Sequence, residues 1–166
     1  MENFYITTPI FYPTGLPHIG TAYNIFIADT LARYYRSKLG SENVFFLTGT
    51  DEHGGNIANK ARENNQTPQE YVDFYAEEYK KTWQNLNLSF DYFVRTTNPE
   101  HEKFAADLIQ KSFDNGDIYE GSYEGWYCES CEAYYTEEDL VDGKCPNHPT
   151  KTPVFTKEKN YYFKLS

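Results

Sequence analysis

Residues 12–36 read "YPTGLPHIGTAYNIFIADTLARYYR", a Pro/Gly loop that turns, at a histidine followed by a glycine, into a long amphipathic pattern. Ile19, Ala22, Tyr23, Phe26, Ile27, Leu31, Tyr34 and Tyr35 recur at spacings of three and four, while Asn24, Asp29, Arg33 and Arg36 fall between them. That spacing predicts a helix whose apolar set packs inward, stopped by "LGSEN". Upstream, "NFYITTPI" is a β-branched and aromatic run closed by proline, which reads as a strand; downstream, "NVFFLTGT" reads as a buried strand. Strand, helix and strand in this order are the unit of a parallel sheet built from right-handed crossovers.

The pattern continues outward. A helical stretch follows "DEHGG" to about Asn65, and Thr67-Pro68-Gln69-Glu70 is a capping box with proline at the first helical position, opening a helix to about Leu86. "FDYFVRT" is a third strand, and Asn98-Pro99 opens a helix that ends at Asn115-Gly116 with the glycine as its left-handed stop. The fold class is therefore α/β. After Gly116 the composition changes to short aromatic runs, turns, acidic residues and all three cysteines, which places a domain boundary there and divides the chain into 1–115 and 116–166. The closing "NYYFKLS" is apolar and strand-like.

At 166 residues the chain can bury one sizeable core, or one core with a small appendage. Fifteen Lys+Arg against twenty-five Asp+Glu give 15 − 25 = −10, which argues against non-specific binding to nucleic acid or to an anionic membrane. The first residues show neither a basic n-region nor an apolar h-region, and no apolar run approaches spanning length, so a cytoplasmic protein with no membrane partner is expected. Three cysteines, an odd number, suit a disulfide framework poorly and suit metal ligation or free thiols in a reducing compartment.

In an open parallel sheet, ligands bind beyond the carboxyl ends of the strands, where the loop carrying His18 lies. His18 and Thr21 overlie one side of the first helical turn, Gly20 leaves space for a flat ring, and the helix start offers free N–H groups to phosphate. These residues suit a nucleoside triphosphate, and they equally suit a plain helix cap with a softened turn. Asp51, Glu52 and His53 sit at the carboxyl end of the second strand, where an acidic loop could take a substrate ammonium group. Glu52 also reads as a solvated loop residue, and Asp51 as the N-cap of the next helix. Cys128-x2-Cys131 and Cys145-x2-His148 have the short spacings that bring two pairs to one tetrahedral ion, separated by thirteen residues. Cys3His leaves no open position, so a structural zinc is expected, one per chain.

Taken in order, "YITTPIFYPTGLPHIGT", "FFLTGTDEHG" at 45–54, "GDIYEGSYEGWYCESCEAYYTEEDLVDGKCPNH" at 116–148 and "NYYFKLS" resemble the N-terminal part of the methionyl-tRNA synthetases, class I aminoacyl-tRNA synthetases, in the form common in bacteria. The resemblance covers essentially the whole chain. It implies the first half of a Rossmann-type catalytic domain, followed by the start of an inserted connective peptide bearing a small zinc knuckle. It implies that Ile10, through its main chain, and Tyr12, through its ring, face methionine, that Asp51 takes the methionine ammonium, and that His18 and Gly20 bind ATP, with Mg2+ accompanying the nucleotide. Thr21 departs from the signature, which usually has a second histidine there; a hydroxyl can donate but carries no charge. The activity implied is formation of methionyl-adenylate and transfer to tRNA(Met) in the full-length protein. The lysine loop, the second half of the sheet and the anticodon-binding domain lie downstream in the family, so the chain alone is expected to be inactive. The rival readings are a nucleotidylyltransferase and a zinc-stabilised nucleotide-binding module without catalysis.

Overall fold

The computed structural model describes residues 2–165. They fall into two compact units, divided between Glu102 and Lys103.

In the first unit, β1 (Phe4–Thr7) leads through the Pro/Gly loop into α1 (Ile19–Leu39), and β2 (Val44–Thr50) follows. Two helices, α2 (Gly55–Glu63) and α3 (Pro68–Asn85), then return the chain to β3 (Tyr92–Arg95). The strands lie in the order β1-β2-β3, with both pairs parallel: Phe4 faces Val44 across the first, and Leu47 faces Tyr92 across the second. The close approach of β2 and β3 requires Gly49, because a Cβ there would lie 2.0 Å from the Val94 carbonyl oxygen. α3 begins as its sequence requires, with Thr67 Oγ1 accepting from the Glu70 N–H (3.2 Å) and the Thr67 N–H donating to the Glu70 carboxylate (2.8 Å).

The core of this unit is aromatic. Phe11, Phe46, Tyr79 and Trp83 pack with Ile25, Ala28, Ala32, Val44 and Leu88, while Ile57, Ala61, Tyr71 and Val72 join α2 to α3. Here the expected inner face of α1 is corrected. The helix buries Ile25, Ala28, Asp29 and Ala32, whereas Ile19 is 90% exposed and Tyr23 67%, with Phe26, Ile27, Leu31 and Tyr34 also exposed. The reason is polar. Asp29 Oδ1 accepts from both the N–H and the hydroxyl of Ser89 (2.7 and 2.6 Å), Arg33 donates to Asp29 (2.6 Å) and to the Asn87 carbonyl, and Arg36 donates to Ser89 and to Asp91 (2.6 Å each). Residues that periodicity assigns to solvent thus clamp the turn between α3 and β3. Burial works to raise the Asp29 carboxyl, but the Ser89 and Arg33 hydrogen bonds outweigh it and hold it below its usual range.

The division between units falls inside α4 (Pro99–Asp114), which closes with Gly116 at a φ of +79°. In the second unit β4 (Ile118–Cys128) pairs antiparallel with β6 (Val154–Phe163) from Ile118↔Phe163 to Tyr127↔Val154, and its far end pairs with β5 (Ala133–Tyr135). The segment read as strand-like near the end of the sequence is part of β6 as far as Phe163. Among the described residues of this unit only Gly125, Cys128, Cys145 and Pro153 are buried.

Candidate active site and metal centre

β1 ends at Thr7, but the chain continues alongside β2: the Thr8 N–H donates to Leu47 O (3.2 Å), the Phe11 N–H to Gly49 O (3.0 Å), and the Asp51 N–H to Phe11 O (2.9 Å). This extended pairing sets Ile10 and Tyr12 on either side of Phe11, next to Asp51 at the carboxyl end of β2. Ile10 and Tyr12 are exposed and Asp51 is half-buried. Asp51 does not cap α2, whose N-cap is Gly54. The loop then closes a cleft of about 310 Å³ lined by Phe11, Tyr12, Thr14, Gly15, Leu16, His18, Thr21 and Tyr79. The cleft gathers Tyr12, His18 and Thr21; Ile10, Gly20 and Asp51 lie outside its lining.

His18 is the N-cap of α1. Its Nδ1 accepts from the Gly20 N–H (3.0 Å), so the neutral ring carries its proton on Nε2, which becomes a donor. Gly20 permits this fold-back, since a Cβ there would meet His18 Cε1 at 2.8 Å. The Thr21 hydroxyl accepts from the His18 N–H (3.0 Å) and donates to His18 O (2.7 Å), so its single proton is committed within the cap. The loop is tied to α3 by the Tyr71 hydroxyl, which donates to Thr14 O (3.1 Å). Burial first, and then Tyr75, pushes Tyr71 up to about 12, which keeps it a donor. Neither Tyr71 nor Tyr79 figured in the sequence reading, because they reach the loop from a helix more than fifty residues away.

Glu52 is a correction. It is not a solvated loop residue: its side chain is fully buried, and its carboxylate accepts from Thr50 Oγ1 (2.5 Å), from Arg95 Nε and Nη2 (2.7 and 2.9 Å) and from the Thr97 hydroxyl. The Glu52 N–H donates to Thr96 Oγ1 (2.8 Å), and Arg95 Nη2 also reaches Asp73 on α3 (2.5 Å). The Glu52 hydrogen bonds, outweighing burial, raise Arg95 above its usual range, and Arg95 in turn lowers Asp73. The signal available in sequence was an acidic loop and an arginine closing adjacent parallel strands, with Thr50 opposite Arg95.

In the second unit the four expected ligands come together. Cys128, Cys131, Cys145 and His148 offer donor atoms that all lie within 4.8 Å of one another. Cys131 Sγ is 3.4 Å from Cys145 Sγ and 3.0 Å from His148 Nδ1, and Cys145 Sγ is 3.9 Å from that nitrogen. Thiolates at about 2.3 Å from a tetrahedral ion lie about 3.8 Å apart, so the cluster needs only small adjustments to fit a metal. Two tight turns build it: the Cys131 N–H donates to Cys128 O (3.2 Å) and the His148 N–H to Cys145 O (3.1 Å). The turn Val141–Lys144, with Asp142 and Gly143 both at positive φ, feeds the chain into Cys145.

The first unit thus carries a histidine-capped helix at the carboxyl end of a three-stranded parallel sheet, and the second carries a Cys3His cluster. Residues 4–160 match the family model for tRNA synthetases class I (M), and the chain belongs to that family. It is 47% identical over 165 residues to a methionine–tRNA ligase of Caldanaerobacter subterraneus, covering 99% of this chain and 25% of that protein, and 47% identical over 167 residues to one of Clostridium acetobutylicum, again with 99% and 25% covered. The chain thus spans about a quarter of the length of the curated relatives it matches. Among solved structures it superposes on a Mycobacterium tuberculosis methionyl-tRNA synthetase in complex with methionyl-adenylate, with a TM-score of 0.87, 34% identity and 98% of this chain and 32% of that one covered. A LeuRS from Agrobacterium radiobacter shares the fold at 21% identity and a TM-score of 0.78, covering 98% of this chain and 21% of that one. The expected α/β class and Rossmann-type parallel sheet are those observed. Among the described residues no helix is long and apolar enough to cross a membrane.

Proposed function

We propose that the protein to which this chain belongs is a cytoplasmic methionine–tRNA ligase, with 1–115 as the first half of its catalytic domain and 116–166 as the start of a connective insertion. The reaction has two displacements. A methionine carboxylate oxygen attacks the α-phosphorus of ATP, the α–β anhydride bond breaks, and pyrophosphate leaves; the terminal ribose hydroxyl of tRNA(Met) then attacks the carbonyl of methionyl-adenylate, loses its proton, and AMP leaves. The first step needs placement and charge stabilisation more than a base. Asp51 would hold the ammonium group, beside Ile10 offering main chain and Tyr12 offering its ring. His18 would donate from Nε2 to a phosphate oxygen, with Gly20 holding the ring in its folded-back position and the open start of α1 adding its dipole. Thr21 would help by fixing the cap. Mg2+ would accompany ATP and share its phosphate charge.

The observation that carries the reading is the chain-long likeness to methionine–tRNA ligases, joined to the convergence of the 10–12 segment, Asp51 and the α1 start at one end of the sheet. The Cys3His cluster would hold one structural zinc, for which three thiolates and an imidazole are a fitting donor set. The test is ATP–pyrophosphate exchange by the full-length protein with each amino acid in turn. Exchange that depends on methionine supports the reading; none with any amino acid would leave a zinc-stabilised nucleotide-binding module.

A further inference from the structure

Two carboxylates stand side by side at the carboxyl end of β2, and the structure treats them differently. Glu52 is fully buried, and both its oxygens are taken: Oε1 by Thr50 and Arg95 Nε, Oε2 by Arg95 Nη2 and Thr97. Asp51 is half-buried, and among the described residues its side chain has no hydrogen-bond partner, while its main chain is tied to Phe11. A buried carboxylate this fully satisfied presents no free charge, and its network spans three elements: Thr50 ends β2, Arg95 ends β3, and Arg95 continues to Asp73 on α3. Because Glu52 is the next residue along the chain, fixing its side chain and its N–H, which donates to Thr96, fixes the peptide that carries Asp51.

We propose that the Glu52–Arg95 pair is a positioning device for amino-acid recognition: it locks the 51–54 turn so that Asp51, and not Glu52, presents the free carboxylate to the substrate ammonium group. The inference rests on the methionine reading of the site. Replacing a buried ion pair by apolar side chains of similar size often preserves stability, whereas removing one partner leaves an unpaired buried charge. The double variant Glu52→Met/Arg95→Met therefore separates holding the fold from holding the substrate.

The experiment uses the full-length protein, measuring pyrophosphate exchange, thermal unfolding and amide hydrogen exchange across 49–54. The single variant Arg95→Met is expected to lower the unfolding temperature, and the double variant to recover most of it. In the double variant the KM for methionine should rise about 10- to 100-fold, the loss that misplacing a binding group by an ångström produces, with the KM for ATP within about twofold of its original value. The amides of 49–54 should exchange faster. A Glu52→Asp/Arg95→Lys variant, which keeps the charges but shortens the reach, should rise less. A double variant of recovered stability with an unaltered methionine KM and unaltered protection at 49–54 overturns the inference and leaves the methionine reading standing. Equal rises in the KM for methionine and for ATP also overturn it, since positioning would then not be specific to the ammonium. If the unaltered protein shows no methionine-dependent exchange, the reading of the site falls and the inference falls with it.

Discussion

The two units reach order by opposite routes. Residues 1–102 bury large side chains outright: Trp83, Phe46, Ile25, Ile57 and Val72 are all essentially inaccessible, and burial of each contributes about 1.5–3 kcal/mol. Among the described residues of 103–166 the buried set is two cysteines, a glycine and a proline, and the large aromatics Tyr119, Tyr123, Phe155, Tyr161 and Phe163 stay exposed on the ribbon. The first unit is organised around its core, whereas the second joins a ten-pair β4–β6 ribbon to its Cys3His cluster. A segment of this size with no large apolar side chain buried among its described residues gains most from a cross-link, and the three thiols and the imidazole are placed to supply one through a metal.

The largest effect should come from removing that cross-link. Structural zinc in small domains is worth about 10–16 kcal/mol of apparent binding free energy. Full-length protein should carry one zinc per chain by elemental analysis, and Cys145→Ser or chelation should release it. Amides between 128 and 151 should then lose protection while those of the 1–102 sheet keep theirs. Protein prepared with ample zinc yet holding none would break the contrast between the units.

Trp83→Ala probes the opposite unit. Its indole packs against both Phe11 and Tyr79, and truncation should cost about 3–5 kcal/mol in denaturant unfolding. The zinc content should not change. Loss of metal on this substitution would mean that the knuckle depends on the sheet and is not separately organised.

A smaller effect sharpens how the sheet unit is tied. Asp29→Asn weakens the hydrogen bonds to Ser89 and Arg33, at a cost of about 1–3 kcal/mol at neutral pH. The sign with pH follows from its lowered value: the folded carboxyl titrates below its unfolded value of 3.8, so its contribution is fully present above that value and is lost as pH falls through the folded one. Urea unfolding of both forms from pH 6 to pH 3 should show the stability difference shrinking toward the acid end. A difference that stays constant across that range would remove the charge from the explanation.

Much of this was readable in the sequence where the determining contacts are local. The Thr67–Glu70 box, the left-handed Gly116 stop after α4, and the paired spacings of the metal ligands all involve residues a few positions apart. The inner face of α1 was not. Its large apolar residues suggested one face, but the helix turns Ala28 and Ala32 inward, and its orientation is pinned by Asp29, Arg33 and Arg36 on partners more than fifty residues away. Periodicity carries no record of such partners. Glu52 escaped for the same reason: it looked like a solvated loop residue until Arg95, forty-three positions on, arrived at the neighbouring strand end. The Cys3His cluster was legible as a set, while the long β4–β6 ribbon that carries it was not, since its ten pairs join segments separated by the whole knuckle.

The most direct measurement compares His18→Ala and Asp51→Ala in methionine-dependent ATP–pyrophosphate exchange by the full-length protein. His18 stands at the start of α1 and Asp51 at the end of β2, so the two changes should act on different substrates. His18→Ala should lower the rate at saturating methionine and ATP by about 100-fold, the scale for losing one preorganised donor to developing charge, with little change in the KM for methionine. Asp51→Ala should chiefly raise the KM for methionine. Two variants that behave alike, each losing rate and methionine affinity in the same proportion, would contradict the separate phosphate and ammonium ends assigned to this site.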